Sequence, residues 1–260
     1  MKTIKRIIIV AVILFVTGFV FSLLFPGNVK LLDDIRLFFQ RPLVRWAGNI
    51  RTAPGFSRGD YISLEELSPF LEELTPGSIF FTKTSDYPIS SLIPGEWKHT
   101  GIFLGTREQL AAHLDTSGVL FKTLDTLMPS GRVYVLDSYS EGVSVHPIGA
   151  LSNLNAESSL THFAAFSFTG SAEQRERFIS GALAYSGLEY DYDWITEDPS
   201  AIFCSELLYH SLKAIDIHVR IRTRTISRDI FTPDDLFRFL RLQSRRRSIF
   251  SLHGILRKKS

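Results

Sequence analysis

The chain reads as an α+β domain carried behind a single transmembrane helix, and three features of the sequence predict this class. Residues Ile7 to Phe25 run without one charge. A middle block from Ser78 to Phe168 contains short segments rich in Ile, Val, Phe and Tyr, bounded by Gly, Pro or Ser, as strands are. Segments before and after that block carry helix caps and helical apolar spacing. Strands gathered in the middle, with helices on either side, indicate α+β. At 260 residues the chain has room for one well-packed domain with appendages.

The elements follow in order. A helix rises ~1.5 Å per residue, so the uncharged run nearly covers a hydrocarbon core of ~30 Å. Lys2, Lys5 and Arg6 precede it, which favours a cytoplasmic N-terminus and export of the rest, while Lys30, Arg36 and Arg41 beyond it weaken that bias. A cleaved signal peptide is the alternative. Against it, the run exceeds the usual apolar region and FSLLFPGNVK offers no small-x-small site. Residues 1–27 are therefore expected as cytoplasmic N-terminus and anchor. Residues 28–67 are expected as a juxtamembrane helical segment, either amphipathic on the membrane or packed on the domain. Ser63-x-x-Glu66 has capping-box spacing, and Ser68-Pro69 suggests a helix restart. Thr75-Pro76-Gly77 is a turn. Strands are expected at Ser78–Thr82, His99–Leu104, Arg132–Ser138, Val143–Pro147 and Thr161–Phe168. An amphipathic helix follows from Ser171 to Ser186, with Ser171 as N-cap and Gly187 at C′. Another runs from about Phe203 to Ile215, and Thr232-Pro233-Asp234-Asp235 opens a last one. The globular domain is placed at 68–240, and residues 241–260 are read as a basic C-terminal tail.

Three residues suggest chemistry. Cys204, the only cysteine, falls in the first turn of a predicted helix, where unpaired N–H groups and the positive end of the helix dipole favour a thiolate. Taken alone it fits a buried small hydrophobe better. His99 stands at the mouth of a predicted strand, after a turn-rich loop, with Gly101 permitting close backbone approach. The other histidines have less revealing contexts. Asp137 closes an apolar strand, and a buried carboxylate there needs a partner such as an imidazole on the adjacent strand. It could equally open the following turn.

Together these segments form a pattern. The run PGSIFF, then WKHTGIFLG, then VYVLDSYSEGVSVHPI, then GLEYDYDWITEDPSAIFCSELLYHSL resembles the circularly permuted papain-like cysteine hydrolases, the YiiX/YaeF-like group of the NlpC superfamily. The resemblance covers about residues 68 to 240, with ISRDIFTPDDL similar to the closing segment of that group. It departs at Ser78, where an acid is usual, and at Asp137, where glutamate is commoner. The resemblance implies a central antiparallel sheet packed on helices. It also implies a Cys–His–Asp triad of Cys204, His99 and Asp137, hydrolysing an amide in a peptidoglycan peptide or in an acylated or lipid-linked substrate. Tyr190, Asp191 and Trp97 are expected at the pocket wall, with Thr84–Lys98 as a lid or specificity loop. Glu206 is expected to make a structural contact. The segment Thr106–Gly131 is a long insertion without an assigned role.

Other classes are less well supported. Net charge is +2, so no global field points to nucleic acid. One cysteine excludes an internal disulfide, and scattered histidines give no metal-ligand cluster, so no cofactor or metal is expected. After Leu236 eight Arg or Lys residues and no acid follow. That stretch is either a solvated tail or a surface for anionic lipid. The expected partners are thus the substrate and a membrane, bound through the N-terminal helix and, on the lipid reading, the tail, with the catalytic domain on the extracytoplasmic side. A lipid acyltransferase or lipase of the lecithin:retinol acyltransferase-like type, and a non-catalytic lipid-binding protein, are the alternatives.

Overall fold

A computed structural model describes residues 2–48, 50, 61–85, 93–155, 158–191, 200–225, 228–246 and 249–258. In chain order the first elements are α1 (Lys2–Leu24), α2 (Lys30–Gly48), α3 (Leu64–Glu72), β1 (Ser78–Thr84), β2 (His99–Gly105), α4 (Arg107–His113) and α5 (Val119–Leu127). Then come β3 (Tyr134–Tyr139), β4 (Gly142–Pro147), a 3-10 stretch (Ile148–Asn153), β5 (Leu160–Phe168), α6 (Ala172–Leu183) and α7 (Cys204–Ala214). The chain closes with β6 (Thr223–Thr225), β7 (Arg228–Ile230), α8 (Pro233–Ser244) and β8 (Phe250–Arg257).

Six strands form one sheet in the order β4-β3-β2-β1-β5-β8, each neighbouring pair antiparallel. Alternation along the strands divides the side chains between two cores, as a period of two requires. Ile79, Phe81, Ile102, Leu104, Leu136, Ala164 and Phe166 face one way and bury against apolar residues of α4 to α8. Phe80, Phe103, Val135, Phe163 and Ala165 face the other way, onto Leu67 and Leu71 of α3 and the 3-10 stretch. A sheet covered on both faces accounts for the long apolar runs in β1, β2 and β5.

Helix starts follow the sequence closely. Ser63, Thr106, Ser171 and Thr232 each accept from the N3 amide and close a capping box. Helix ends and domain edges differ more. Pro69 lies inside α3 instead of restarting a helix. Its missing N–H costs one bond, and the Ser68 hydroxyl meanwhile donates to the Leu64 carbonyl at 2.8 Å. Gly187 is not the C′ residue of α6, because that helix ends at Leu183 with Ala184 as C-cap. Gly187 instead takes φ +85° and donates to Val143, tying the chain to β4. Ile62 is buried and donates its amide to Leu160, so the domain begins before residue 68.

The largest correction concerns the basic tail. Residues 250–257 form β8, the sixth strand, paired with β5 from His162↔Arg257 to Phe168↔Phe250. Phe250 is fully buried against Phe168 and Phe178. Arg257 pairs with Glu96 and Lys258 with Glu66. Arg257 and Lys258 thus meet acids remote in sequence, and residues 250–257 are an edge strand, not an appendage. The 106–131 insertion is α4 and α5, whose Leu110, Leu120 and Leu124 bury in the first core.

Candidate active site

The site forms where β2 begins. Register Ile102↔Leu136 and Phe103↔Val135 sets Gly101 opposite Asp137. An added Cβ at Gly101 would lie 2.6 Å from Phe80 Cζ and 2.7 Å from Asp137 Cβ, so only glycine fits between them. This close approach brings His99 Nε2 to 2.9 Å from Asp137 Oδ2. The His99 ring meets Tyr139 edge-on at 5.0 Å and Phe80 at 6.0 Å. Asp137 is completely buried and His99 nearly so.

Cys204 arrives from the other face. It is the first residue of α7, whose leucines pack in the first core, and it stands near enough to the His99 ring to help raise that group's pKa. With Nε2 engaged by Asp137, Nδ1 is the nitrogen left for the thiol. Phe203, the N-cap, supplies no side-chain acceptor, which leaves the first amides of α7 for other ligands. Two serines fasten this helix start. The Ser138 hydroxyl donates to the Ile202 carbonyl at 2.6 Å, and that of Ser205 donates to Phe231 at 2.6 Å.

Sequence reading passed over His146. Its Nε2 lies 2.9 Å from Asp137 Oδ1, so the carboxylate is shared between two imidazoles. The signal was present in the hairpin: Asp137 pairs with Ser144, which puts residue 146 on the same face as its diagonal neighbour. Tyr139 and Ser138 were passed over too, and both lie on the same strand as Asp137.

Electrostatics follow from this sharing. Burial alone would lower the pKa of His99, but Asp137 and then Cys204 outweigh it and raise it to about 10. Burial would raise Asp137, yet His146 and His99 hold it well below the usual carboxylate range. His146 is opposed by its own burial and still held upward by Asp137. An ionised carboxylate thus supports two imidazoles in their charged forms.

The remaining expected residues divide. Tyr190 is half-buried and Asp191 buried, just past the Glu189–Ala201 bridge that leads into Cys204. Trp97 is 1% exposed and packs against Phe237, with Phe81 and His162 around it, so among the described residues it belongs to the core. Its amide donates to Asp234 Oδ1 at 2.7 Å, so α8 holds this end of the loop. The centre of the expected lid, residues 86–92, lies outside the described residues. Glu206 is buried beside His210 and Tyr185, away from the reacting groups. A cavity of about 580 Å³ between α3 and the far ends of β3 and β4 contains none of His99, Asp137 and Cys204. Among the described residues no group of three or more His, Cys, Asp or Glu is arranged to hold a metal ion.

Comparisons with known proteins bear on the fold and family. The family model for permuted papain-like amidase enzymes (YaeF/YiiX, C92 family) matches residues 73–249. Among solved structures the chain is similar to one described as metalloprotein yiiX from Escherichia coli O157:H7. That match has 15% identity and a TM-score of 0.44, and covers 64% of this chain and 92% of the other. No curated protein matches the sequence.

Proposed function

This chain belongs to the permuted papain-like amidase family, whose members are cysteine hydrolases of amide bonds, and on that premise we propose that Cys204, His99 and Asp137 carry its reaction. The observation behind this reading is the convergence of Cys204, at the start of α7, on a His99 whose Nε2 lies 2.9 Å from the buried Asp137. His99 already holds the thiol's proton as imidazolium, leaving Cys204 as thiolate, and Asp137 fixes the ring and supports its charge. The thiolate attacks the amide carbonyl carbon, and the electron pair moves to oxygen beside the α7 N-terminal amides. Collapse breaks the C–N bond while His99 gives its proton to the leaving nitrogen. His99 then takes a proton from water, the hydroxide attacks the thioester, and thiolate leaves.

Substrate and setting extend the proposal. Peptidoglycan peptide and an acylated or lipid-linked amide both fit the reaction. The second draws support from Arg41 of α2, which lies 3.8 Å from Glu189, on the segment leading into Cys204. The approach to the nucleophile is thereby next to the N-terminal helices. α1 is long and apolar enough to cross a membrane. Lys2, Lys5 and Arg6 before it favour a cytoplasmic N-terminus.

The test is turnover of the full chain in detergent on two amide panels, muropeptide stems and N-acylated lipids. Release of amine that disappears in Cys204→Ser supports the amidase reading, and the panel that reacts assigns the substrate class. Unchanged release in Cys204→Ser would end the proposal for this nucleophile.

A further inference from the structure

Helix α2 presents an apolar stripe that no described part of the protein covers. Leu31, Ile35, Phe38, Phe39, Leu43 and Trp46 recur at helical spacing, and five of them are 51–73% exposed. The flank beside the stripe, through Leu32, Asp33 and Arg36, is packed against α1, with Phe39 at the edge between the two. Gly18 of α1 receives Leu32 closely, with a hypothetical Cβ 3.1 Å from its Cδ2, and Phe15 meets Phe39 edge-on at 5.5 Å. Contacts further from the 25–29 connection join residues further along both helices, so α2 folds back beside α1. Between them lies a polar cluster. Ser22 donates to Asp33, Arg36 donates through Nε to Ser22 at 2.8 Å and through Nη1 to Gln40 at 2.6 Å, and the Gly27 amide donates to Asp33 at 2.9 Å. Arg36 is fully buried in this arrangement.

We propose that α2 is a second membrane-inserted element, running back beside α1 with its stripe turned toward the acyl chains of the bilayer that α1 enters. The proposal rests on the reading of α1 as a membrane span. Continuity with α1 identifies the occupant: Phe15 of the apolar helix and Phe39 of the stripe touch, so lipid around one reaches the other. The polarity distribution fits the same site. Inside a bilayer polar groups must be satisfied within the protein, and the Ser22–Asp33–Arg36–Gln40 cluster turns α2's inner polar groups toward one another. Trp46 stands at the end of the stripe, with Arg41 and Arg45 beside it, the residue types that suit a headgroup boundary.

The test uses the single cysteine. In a Cys204→Ser background, one cysteine at a time is placed at 31, 35, 38 or 43 on the stripe, at Asp34 or Arg45 on its polar flank, and at Val12 on α1. Each full-length protein is spin-labelled and reconstituted in phosphatidylcholine vesicles. Collision with oxygen, which concentrates in lipid, is compared with collision with a water-soluble nickel chelate. Stripe positions are expected to favour oxygen with a helical period, Asp34 and Arg45 the nickel chelate, and Val12 oxygen. Stripe positions that favour nickel while Val12 favours oxygen would overturn the insertion of α2 and leave the span intact. Nickel preference at Val12 as well would overturn the span itself. Stripe labels shielded from both quenchers would overturn lipid as the occupant in favour of a protein surface.

Discussion

Replacing Asp137 by Asn removes one charge from a fully buried position with little change in shape, and its cost can be worked from the site. His99 moves from an ordinary 6.5 to about 10 in the folded protein. At ~1.4 kcal/mol per tenfold, that rise corresponds to roughly 5 kcal/mol favouring the folded imidazolium. Asp137 is the foremost source of that rise, and removing one member of a buried charged pair costs about 3 kcal/mol. A raised folded pKa stabilises fully below the unfolded value of 6.5 and loses its effect as pH rises through about 10. Asp137 acts with the opposite sense, stabilising above its unfolded 3.8 and losing its effect as pH falls through its lower folded value. The wild type is therefore expected to be most stable between about pH 4 and 6.5, with Asp137→Asn costing most there and least near pH 10. For a chain of this size ~3 kcal/mol is about 6–12 °C in Tm. Thermal unfolding of both proteins in detergent, followed by circular dichroism at pH 5.5 and 9.5, reads this directly. An equal deficit at both pH values, or none at either, would refute the shared-carboxylate reasoning.

Other expectations follow from single contacts. Gly101→Ala should overpack the Phe80–Asp137 gap by ~1–3 kcal/mol and reduce amide turnover far more than stability, which paired melting and kinetic measurements separate. His146→Gln keeps a donor for Asp137 and should retain most turnover, whereas His146→Ala should narrow the pH range of activity; identical pH profiles would remove His146 from the site's electrostatics. Trp97→Ala should lose ~3–5 kcal/mol of stability with KM unchanged, since Trp97 is core; a raised KM with intact stability would restore it as a binding residue. Deleting residues 250–260 should give aggregated or unfolded protein by size-exclusion chromatography, because it uncovers β5 and removes Phe250; a monodisperse, active product would contradict the sixth strand.

Much of this fold was readable because its signals are local. Caps at Ser63, Ser171 and Thr232 lie within four residues of the groups they satisfy, and β1 to β5 announce themselves by apolar runs between turn residues. What failed was non-local. The basic C-terminal stretch looks solvated until Glu96 and Glu66, 161 and 192 residues away, are seen to receive Arg257 and Lys258. Trp97 sits in a loop by sequence, yet Phe237 and Asp234 of α8 draw it into the core. His99, Asp137 and Cys204 could be singled out because strand start, strand end and helix start are local properties, while the resemblance supplied their grouping. His146 needed only the hairpin register, but its polar, half-exposed strand gave no reason to apply it.

The most direct measurement is of covalent chemistry at Cys204. The full chain in detergent would be mixed with an activated acyl ester and its intact mass followed over time, for wild type, His99→Ala and Cys204→Ser. A single acyl addition that maps to Cys204, forms rapidly in wild type, slows at least ~100-fold without His99 and is absent in Cys204→Ser is the expected result. Acylation at equal rates with and without His99, or at residues other than Cys204, would contradict the proposed nucleophile and base.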